Sequence, residues 1–362
     1  MPVETGTASY EILLGQELLL EMPQILDRYA PAHRYALICD QTVGDLYGHD
    51  CQAALGGTPR CSLFSFPPGE KNKTRETWAS LTDRMLEEGI GRDAVVVALG
   101  GGVTGDIAGF VAATYLRGIP CVQVPTSLLA MIDASIGGKT GVDTIYGKNL
   151  VGAFHQPSVV VIDCSTLATL PDEHTSAGIA EAIKHGAIAD AHYLEWIVSK
   201  HDSIRSRDVP TALELVRRSI DIKAVIVSAD ETEQGKRAVL NFGHTVGHAL
   251  EATTDFELLH GEAVSIGMIA EAVLGVQLGI TDQSAMRTLK TAIEALQLPS
   301  RIPADLSAES LIEAMARDKK ARRGDIRFTL LEGIGKVHQG EEGTWTQDVS
   351  KKAIFTALES LT

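Results

Sequence analysis

Long apolar runs, paired cysteines and an excess of basic charge are all missing from this 362-residue sequence. The longest near-apolar stretch, Ala94 to Val103, is too short and too rich in glycine to cross a bilayer. The opening MPVETGTASYEILL carries neither a basic start nor a long apolar segment of the secretory kind. The five cysteines (Cys39, Cys51, Cys61, Cys121 and Cys164) are odd in number, form no CxxC pair and lie in or near apolar sequence. That pattern argues against a disulfide scaffold and for buried, reduced thiols in a cytosol-like compartment. Basic residues number 32 against 47 acidic ones, a formal charge of −15, and such a field repels nucleic-acid backbones at long range. Apolar residues at 44% exclude disorder, and scattered glycine and proline exclude collagen-like and low-complexity classes. The expectation is a cytoplasmic protein with no membrane or nucleic-acid partner, long enough for about two domains.

What is present falls into two halves. Tyr35–Cys39, Ala94–Leu99, Cys121–Val124 and Val159–Ile162 are short β-rich apolar runs, and helical patterns such as Leu81–Glu88 and Asp106–Leu116 stand between them. Continuous apolar strands alternating with helices predict a Rossmann-like parallel sheet covered on both faces. From about Asp172 the pattern becomes helix after helix: Ala177–Lys200, Val209–Ala229, Gly243–Thr253, Gly261–Leu278, Ala285–Leu296 and Ala308–Lys319, with one strand at Ile326–Leu331. The boundary expected near Leu170-Pro171 separates an α/β nucleotide-binding domain, 1–171, from a mainly helical domain, 172–362.

Three groups of residues carry chemistry. Gly100-Gly-Gly-Val-Thr-Gly105-Asp106 follows a strand and opens a helix, so its backbone can approach a pyrophosphate at a helix N-terminus. The acid expected about 20 residues further on is absent, and Asp40, at the end of the first clear strand, is the alternative ribose ligand. The bland reading of this loop is a tight turn that binds nothing. His244 and His248 lie four apart on one helix face, with His260 and Glu181 in similar apolar, glycine-containing surroundings. Spacing alone suggests His244 and His248 as a chelating pair, and three histidines with one glutamate suffice for a zinc site with an open position. Packed or capping histidines are the bland alternative. Finally, Lys139, Lys148, Lys184, Lys223, Arg237, Lys319 and Lys320 stand on glycine-rich loops or in otherwise apolar or acidic sequence. They could converge on a phosphate or carboxylate, or each could be solvated or paired with an acid nearby.

Taken together, GGGVTGD, DASIGGKTGVD, GKNLVGAFHQP, AGIAEAIKHG, NFGHTVGHALE and LHGEAVSIGM resemble the 3-dehydroquinate synthase family, from about Asp40 to about Gly335. The resemblance implies the dehydroquinate synthase-like fold, and conversion of 3-deoxy-D-arabino-heptulosonate 7-phosphate to 3-dehydroquinate and phosphate. It implies NAD and a divalent metal as cofactors, zinc first and cobalt second. By motif, the metal ligands would be Glu181, His244 and His260, with His248 turned to the substrate phosphate instead. That phosphate would also meet Lys139, Asn149, Asn241 and one of Lys319 and Lys320. Arg117 would reach it from a neighbouring subunit, which implies a homodimer. Arg237 and Lys223 would hold the substrate carboxylate, and Asp133 and Lys184 its hydroxyls. NAD would contact Asp40, Glu70, Lys73, Gly102, Val103, Gly105, Asp106, Thr126, Ser127, Lys139, Lys148 and Thr169. Two departures, Asp143 and the Gln41-Thr-Val that follows Asp40, each affect one contact near the cofactor. The rivals are a sugar-phosphate cyclase acting on a carboxylate-free substrate, which leaves Arg237 without a task, and a metal-dependent polyol dehydrogenase, which leaves Lys139, Asn149 and His248 unexplained.

Overall fold

The computed structural model describes residues 1–255, 257–317, 326–340 and 343–361. The chain divides into two compact units, Met1–Leu170 with Ala212–Ile220, and Pro171–Thr211 with Asp221–Thr362.

The first unit is built on a seven-stranded sheet. Its strands are β1 (Pro2–Glu4), β2 (Ser9–Gly15), β3 (Tyr35–Asp40), β4 (Cys61–Phe66), β5 (Val95–Gly100), β6 (Cys121–Pro125) and, after the hairpin strands β7 (Lys139–Thr144) and β8 (Gly147–Phe154), β9 (Val159–Asp163). The order is β1-β2-β9-β6-β5-β3-β4. β1 runs antiparallel to β2, and every other pairing in this sheet is parallel. Every residue of β5, β6 and β9 is buried, as expected of strands covered on both faces. Alternate side chains of β3 serve the two cores. Ala36 and Ile38 pack with Leu81, Met85, Ile107 and Val111 on one face, whereas Tyr35, Leu37 and Cys39 pack with Met22 and Leu26 on the other. β3 pairs with β4 on one side and β5 on the other, so the strand order reverses there. Ligands of open α/β sheets bind beyond the carboxyl ends of strands at such a reversal.

Several elements differ from the sequence reading. β1, β2, β4 and the Met22–Tyr29 helix were not expected, and residues 139–154, read as glycine-rich loops, form the β7–β8 hairpin. Most of β8 is exposed or half-exposed, so no apolar alternation marks it. Its glycines permit close approach: a Cβ on Gly152 would lie 2.0 Å from the Thr140 carbonyl oxygen.

The second unit is mainly helical: Asp172–Ala189, Ala191–Ser199, His201–Arg205, the Asp221–Ala229 end of the Val209–Ala229 helix, His244–Thr253, His260–Gln277, Gln283–Ala295, Ala308–Arg317 and Lys351–Glu359. The single helix expected over Ala177–Lys200 is broken at Asp190, whose extended backbone ends one helix while its carboxylate accepts from Tyr193 N at 3.0 Å to cap the next. The strand expected at Ile326–Leu331 ends at Phe328 and pairs with Gln347–Val349. Leu331–Gly333 instead forms a small hairpin with Lys336–Val337. Val246, Leu250, Ile266, Leu311 and Phe328 belong to the main core of this unit. Among the described residues no helix is long and apolar enough to cross a membrane.

Candidate active site

In the first unit the predicted cofactor residues gather at the carboxyl end of the sheet. β5 ends in Gly100, and the Gly102–Thr114 helix begins two residues later. The glycine at 100 is required, since a Cβ there would lie 2.5 Å from Thr104 Oγ1. Asp40 closes β3 beside this loop. Its carboxylate accepts from Val43 N at 3.1 Å and from the Thr104 hydroxyl at 3.4 Å. Thr126 follows β6 and donates its backbone N–H to Gly100 O at 2.9 Å, and a Cβ on Gly101 would stand 3.4 Å from Ser127 Oγ. The Tyr47 hydroxyl lies 2.6 Å from Thr169 Oγ1.

Charge is concentrated on Lys73, which is 4% exposed. It pairs with Asp106, donates to Asn149 Oδ1 at 2.6 Å and lies 4.0 Å from Glu70, which Lys148 approaches at 3.6 Å. Burial works against the charge on Lys73, but Asp106 and then Glu70 overcome it and leave the ammonium harder to deprotonate than usual. Asn149, expected at the substrate phosphate, stands against Lys73 of the expected cofactor set, in a left-handed conformation (φ 55°) with its N–H on Asp143 at 2.8 Å. Asp143, the departure noted in the sequence, therefore holds the hairpin in place. Burial raises its carboxyl despite Lys73. Asp133 is half-buried, Lys139 is exposed at the start of β7, and Arg117 is exposed in a left-handed turn (φ 71°).

In the second unit, three elements bring one carboxylate and three imidazoles together. Glu181, Lys184 and His185 lie on the fully buried part of the Asp172–Ala189 helix. His244 and His260 are the first residues of their helices, and His248 follows one turn after His244. The ligand atoms of Glu181, His244 and His260 all lie within 4.8 Å of one another. His244 Nε2 stands 3.5 Å and His260 Nε2 3.4 Å from the same Glu181 oxygen. The outer ring nitrogens are already engaged: Nδ1 of His244 lies 3.2 Å from Phe242 O, and Nδ1 of His260 lies 3.4 Å from Glu251 Oε1. That is the pattern of metal-binding imidazoles, in which the second nitrogen fixes the tautomer and aim of the first. Both Glu181 oxygens are buried without a well-formed hydrogen bond, and Lys184 forms an ion pair with the same carboxylate. Two nitrogens and one carboxylate oxygen could hold a divalent metal with a position left open. Spacing alone pairs His244 with His248; the group of three joins His244 to Glu181 and His260 instead, and the His248 ring stands beside it, edge-on to His244 at a centroid distance of 5.3 Å.

Electrostatics separate the members of this cluster. Burial alone would raise Glu181, but Lys184, His244 and His260 hold its carboxyl well below the usual carboxylate range. Burial, reinforced by Lys184, pushes His244 well below the usual imidazole value. Burial opposes protonation of His260, yet its contacts with Glu181 and Glu251 lift it to about 10. A divalent cation among these groups would take over the role that the His260 proton plays towards both carboxylates.

The anion-binding candidates Lys223 and Arg237 are 5% and 2% exposed. The turn before Arg237 is organised by Asp230, whose carboxylate accepts from the N–H groups of Gln234, Gly235 and Arg237 at 2.9, 2.7 and 3.0 Å. Arg237 Nη1 donates to Glu231 O at 2.5 Å. Asn241 donates to Glu233 Oε1 at 2.7 Å. Glu233 and Glu251 escaped the sequence reading, although an acid seven residues after His244 on an apolar helix face was a usable signal for Glu251. Lys319 and Lys320 lie outside the described residues.

A family model described as the N-terminal part of 3-dehydroquinate synthase matches residues 63–177, and one described as its C-terminal part matches 178–321. A 3-dehydroquinate synthase of Symbiobacterium thermophilum is 44% identical over 362 residues, covering 99% of each chain. The chain belongs to the 3-dehydroquinate synthase family. Among solved structures, a 2-deoxy-scyllo-inosose synthase complexed with carbaglucose-6-phosphate, NAD+ and Co2+ is 27% identical, with a TM-score of 0.91 over 100% of both chains. The 2-epi-5-epi-valiolone synthase of Streptomyces hygroscopicus subsp. jinggangensis 5008, with NAD+ and Zn2+ bound, is 32% identical, with a TM-score of 0.87 over 98% of this chain and 97% of that one. The dehydroquinate synthase-like fold is therefore common to synthases named for different products.

Proposed function

We propose that this chain converts 3-deoxy-D-arabino-heptulosonate 7-phosphate to 3-dehydroquinate and phosphate, as an NAD- and divalent-metal-dependent lyase of aromatic amino acid biosynthesis. The observation that carries this reading against the related cyclases is the burial of both Arg237 and Lys223, since buried cations suit a carboxylate and those rivals act on carboxylate-free sugar phosphates. The 44% identity to a 3-dehydroquinate synthase, against 27% and 32% to the two solved cyclases, supports the same choice.

When bound, the metal would acidify a substrate hydroxyl and polarise the ketone formed from it, while NAD would take up and return the hydride. In this reading Glu181, His244 and His260 hold the metal. Asp40, Glu70, Lys73, Gly102, Val103, Gly105, Asp106, Thr126, Ser127, Lys139, Lys148 and Thr169 hold the nucleotide. Lys184 and Asp133 orient the hydroxyls. Lys139, Asn149, Asn241 and His248, with Lys319 or Lys320, bind the phosphate, and Arg237 and Lys223 fix the opposite end of the substrate. Holding both ends is what aligns the reacting carbons for elimination and aldol closure.

The deciding measurement is phosphate release from that substrate with catalytic NAD+, with and without chelator. Metal-dependent release without net NADH is expected. Activity only on a carboxylate-free sugar phosphate would transfer the chain to the cyclase reading, and net NADH from a polyol would make it a dehydrogenase.

We further propose a cytoplasmic homodimer in which Arg117 reaches the phosphate of the partner subunit. Arg117 is exposed, as a residue that reaches a second copy must be, and five buried, free cysteines suit a reducing compartment. Sedimentation of wild type, with kinetics of Arg117→Ala, tests the dimer; a fully active monomer would remove it.

A further inference from the structure

The His244–Thr253 helix starts without a capping side chain of its own. Gly243 occupies its N-cap in the left-handed region (φ 82°) and offers no side-chain oxygen. The first amides of a helix lack intrahelical acceptors, and Gly243 and Val246 are buried away from water. Glu271 supplies what is missing. Its carboxylate, 0% exposed, accepts from Gly243 N at 2.7 Å, Thr245 N at 3.1 Å and Val246 N at 3.4 Å. A negative side chain at the positive end of a helix, with three N–H donors, is an arrangement that tolerates full burial.

Glu271 sits on the His260–Gln277 helix, about three turns after His260. It therefore joins the helix that begins with one imidazole of the cluster to the start of the helix that begins with the other. The two backbones approach so closely that a Cβ on Gly267 would lie 1.9 Å from Gly243 O. The bonds to residues 243 and 245 bracket His244, so they hold the stretch of backbone from which its imidazole projects.

We infer that Glu271 is a positioning residue for His244. It fixes the first turn of the His244 helix against the His260 helix, and so pre-sets the two nitrogens for a metal. This rests on the metal-site reading proposed above. A cap that served folding alone would leave metal affinity unchanged.

The test challenges the Co2+-loaded full-length protein with graded chelator and records its visible absorption, for wild type, Glu271→Gln and Glu271→Asp. Gln places an amide where the carboxylate met N–H donors, and Asp keeps the charge but shortens its reach. We expect a rise in the Co2+ dissociation constant of about 10–100-fold for Glu271→Gln, the range found for outer partners of metal ligands, with a shifted visible band and Glu271→Asp in between. Wild-type affinity and spectrum in a folded Glu271→Gln, with only the melting temperature lowered, would overturn the inference. If Glu271→Gln does not fold, Glu271→Asp is judged by the same criterion. Failure of the wild type itself to bind Co2+ overturns the metal-site reading instead.

Discussion

Nδ1 of His260 lies 3.4 Å from Oε1 of Glu251, and Nε2 of the same ring lies 3.4 Å from Glu181. One imidazole thus bridges a carboxylate grouped with it as a candidate metal ligand and a carboxylate placed to aim the ring. The two acids should respond differently to neutralisation. Glu251→Gln is expected to weaken metal binding by about 10–100-fold and leave the substrate KM near wild type once metal is saturating. Glu181→Gln is expected to cost more than that and to abolish turnover at any accessible metal concentration. Chelator competition on both variants checks the ranking, and equal losses would show that Glu251 is itself a ligand.

Arg237 is 2% exposed, and its backbone and side chain both belong to the Asp230–Arg237 turn. Arg237→Ala is expected to lower kcat/KM for the carboxylate substrate by about 2–5 kcal/mol in transition-state terms, as for truncation of a buried charge partner. Arg237→Lys should recover only part of that loss, because an ammonium cannot make the paired contact of a guanidinium. Steady-state kinetics at saturating NAD+ and metal measure both, and wild-type constants in Arg237→Ala would remove the carboxylate assignment.

The hairpin offers a stability test. Gly152→Ala would drive a methyl to within 2.0 Å of the Thr140 carbonyl oxygen, so β7 and β8 must part. A cost of about 1–3 kcal/mol is expected from overpacking. Lys148 lies on the same hairpin, as does Asn149, which accepts from Lys73, so NAD+ affinity should fall as well. Urea unfolding and NAD+ titration check the two effects, and wild-type stability in the Gly152→Ala variant would show that the strands can separate at no cost.

The cysteines give a prediction in pH. Burial raises Cys39, Cys51, Cys61, Cys121 and Cys164 to about 12, so at a pH of about 8 nearly all of each thiol is protonated and shielded. A thiol reagent should find almost no reactive group in the native protein and five after denaturation. Rapid modification of one cysteine in the native state would mean that its surroundings open.

The sheet strands β3, β5, β6 and β9 could be read from sequence because burial on both faces demands unbroken apolar residues. The GGG turn could be read because a strand led into it and a helix out of it. β7 and β8 could not: their exposure removes the apolar period, and their glycines, needed for close approach, look like loop. The break at Asp190 was hidden for a different reason, since the residues on both sides continue a helical pattern and only the capping carboxylate interrupts it.

At the site, local sequence determined which residue types were available and which helices and turns carry them. It did not determine which of them meet. Spacing paired His244 with His248, because a single helix relates residues four apart. Packing instead joined His244 to His260 and Glu181, from the starts of two helices and the middle of a third. Glu251 and Glu271 gained their partners in the same way, from other elements and across sequence separations of up to 28 residues. Helical periodicity is a local property, whereas the meeting of helix ends depends on how closely their backbones pack, and here the glycines at 243, 247 and 267 set that distance. The family motifs therefore pointed to the grouping of Glu181, His244 and His260 that spacing missed, because each motif carries the outcome of packing that no single helix records.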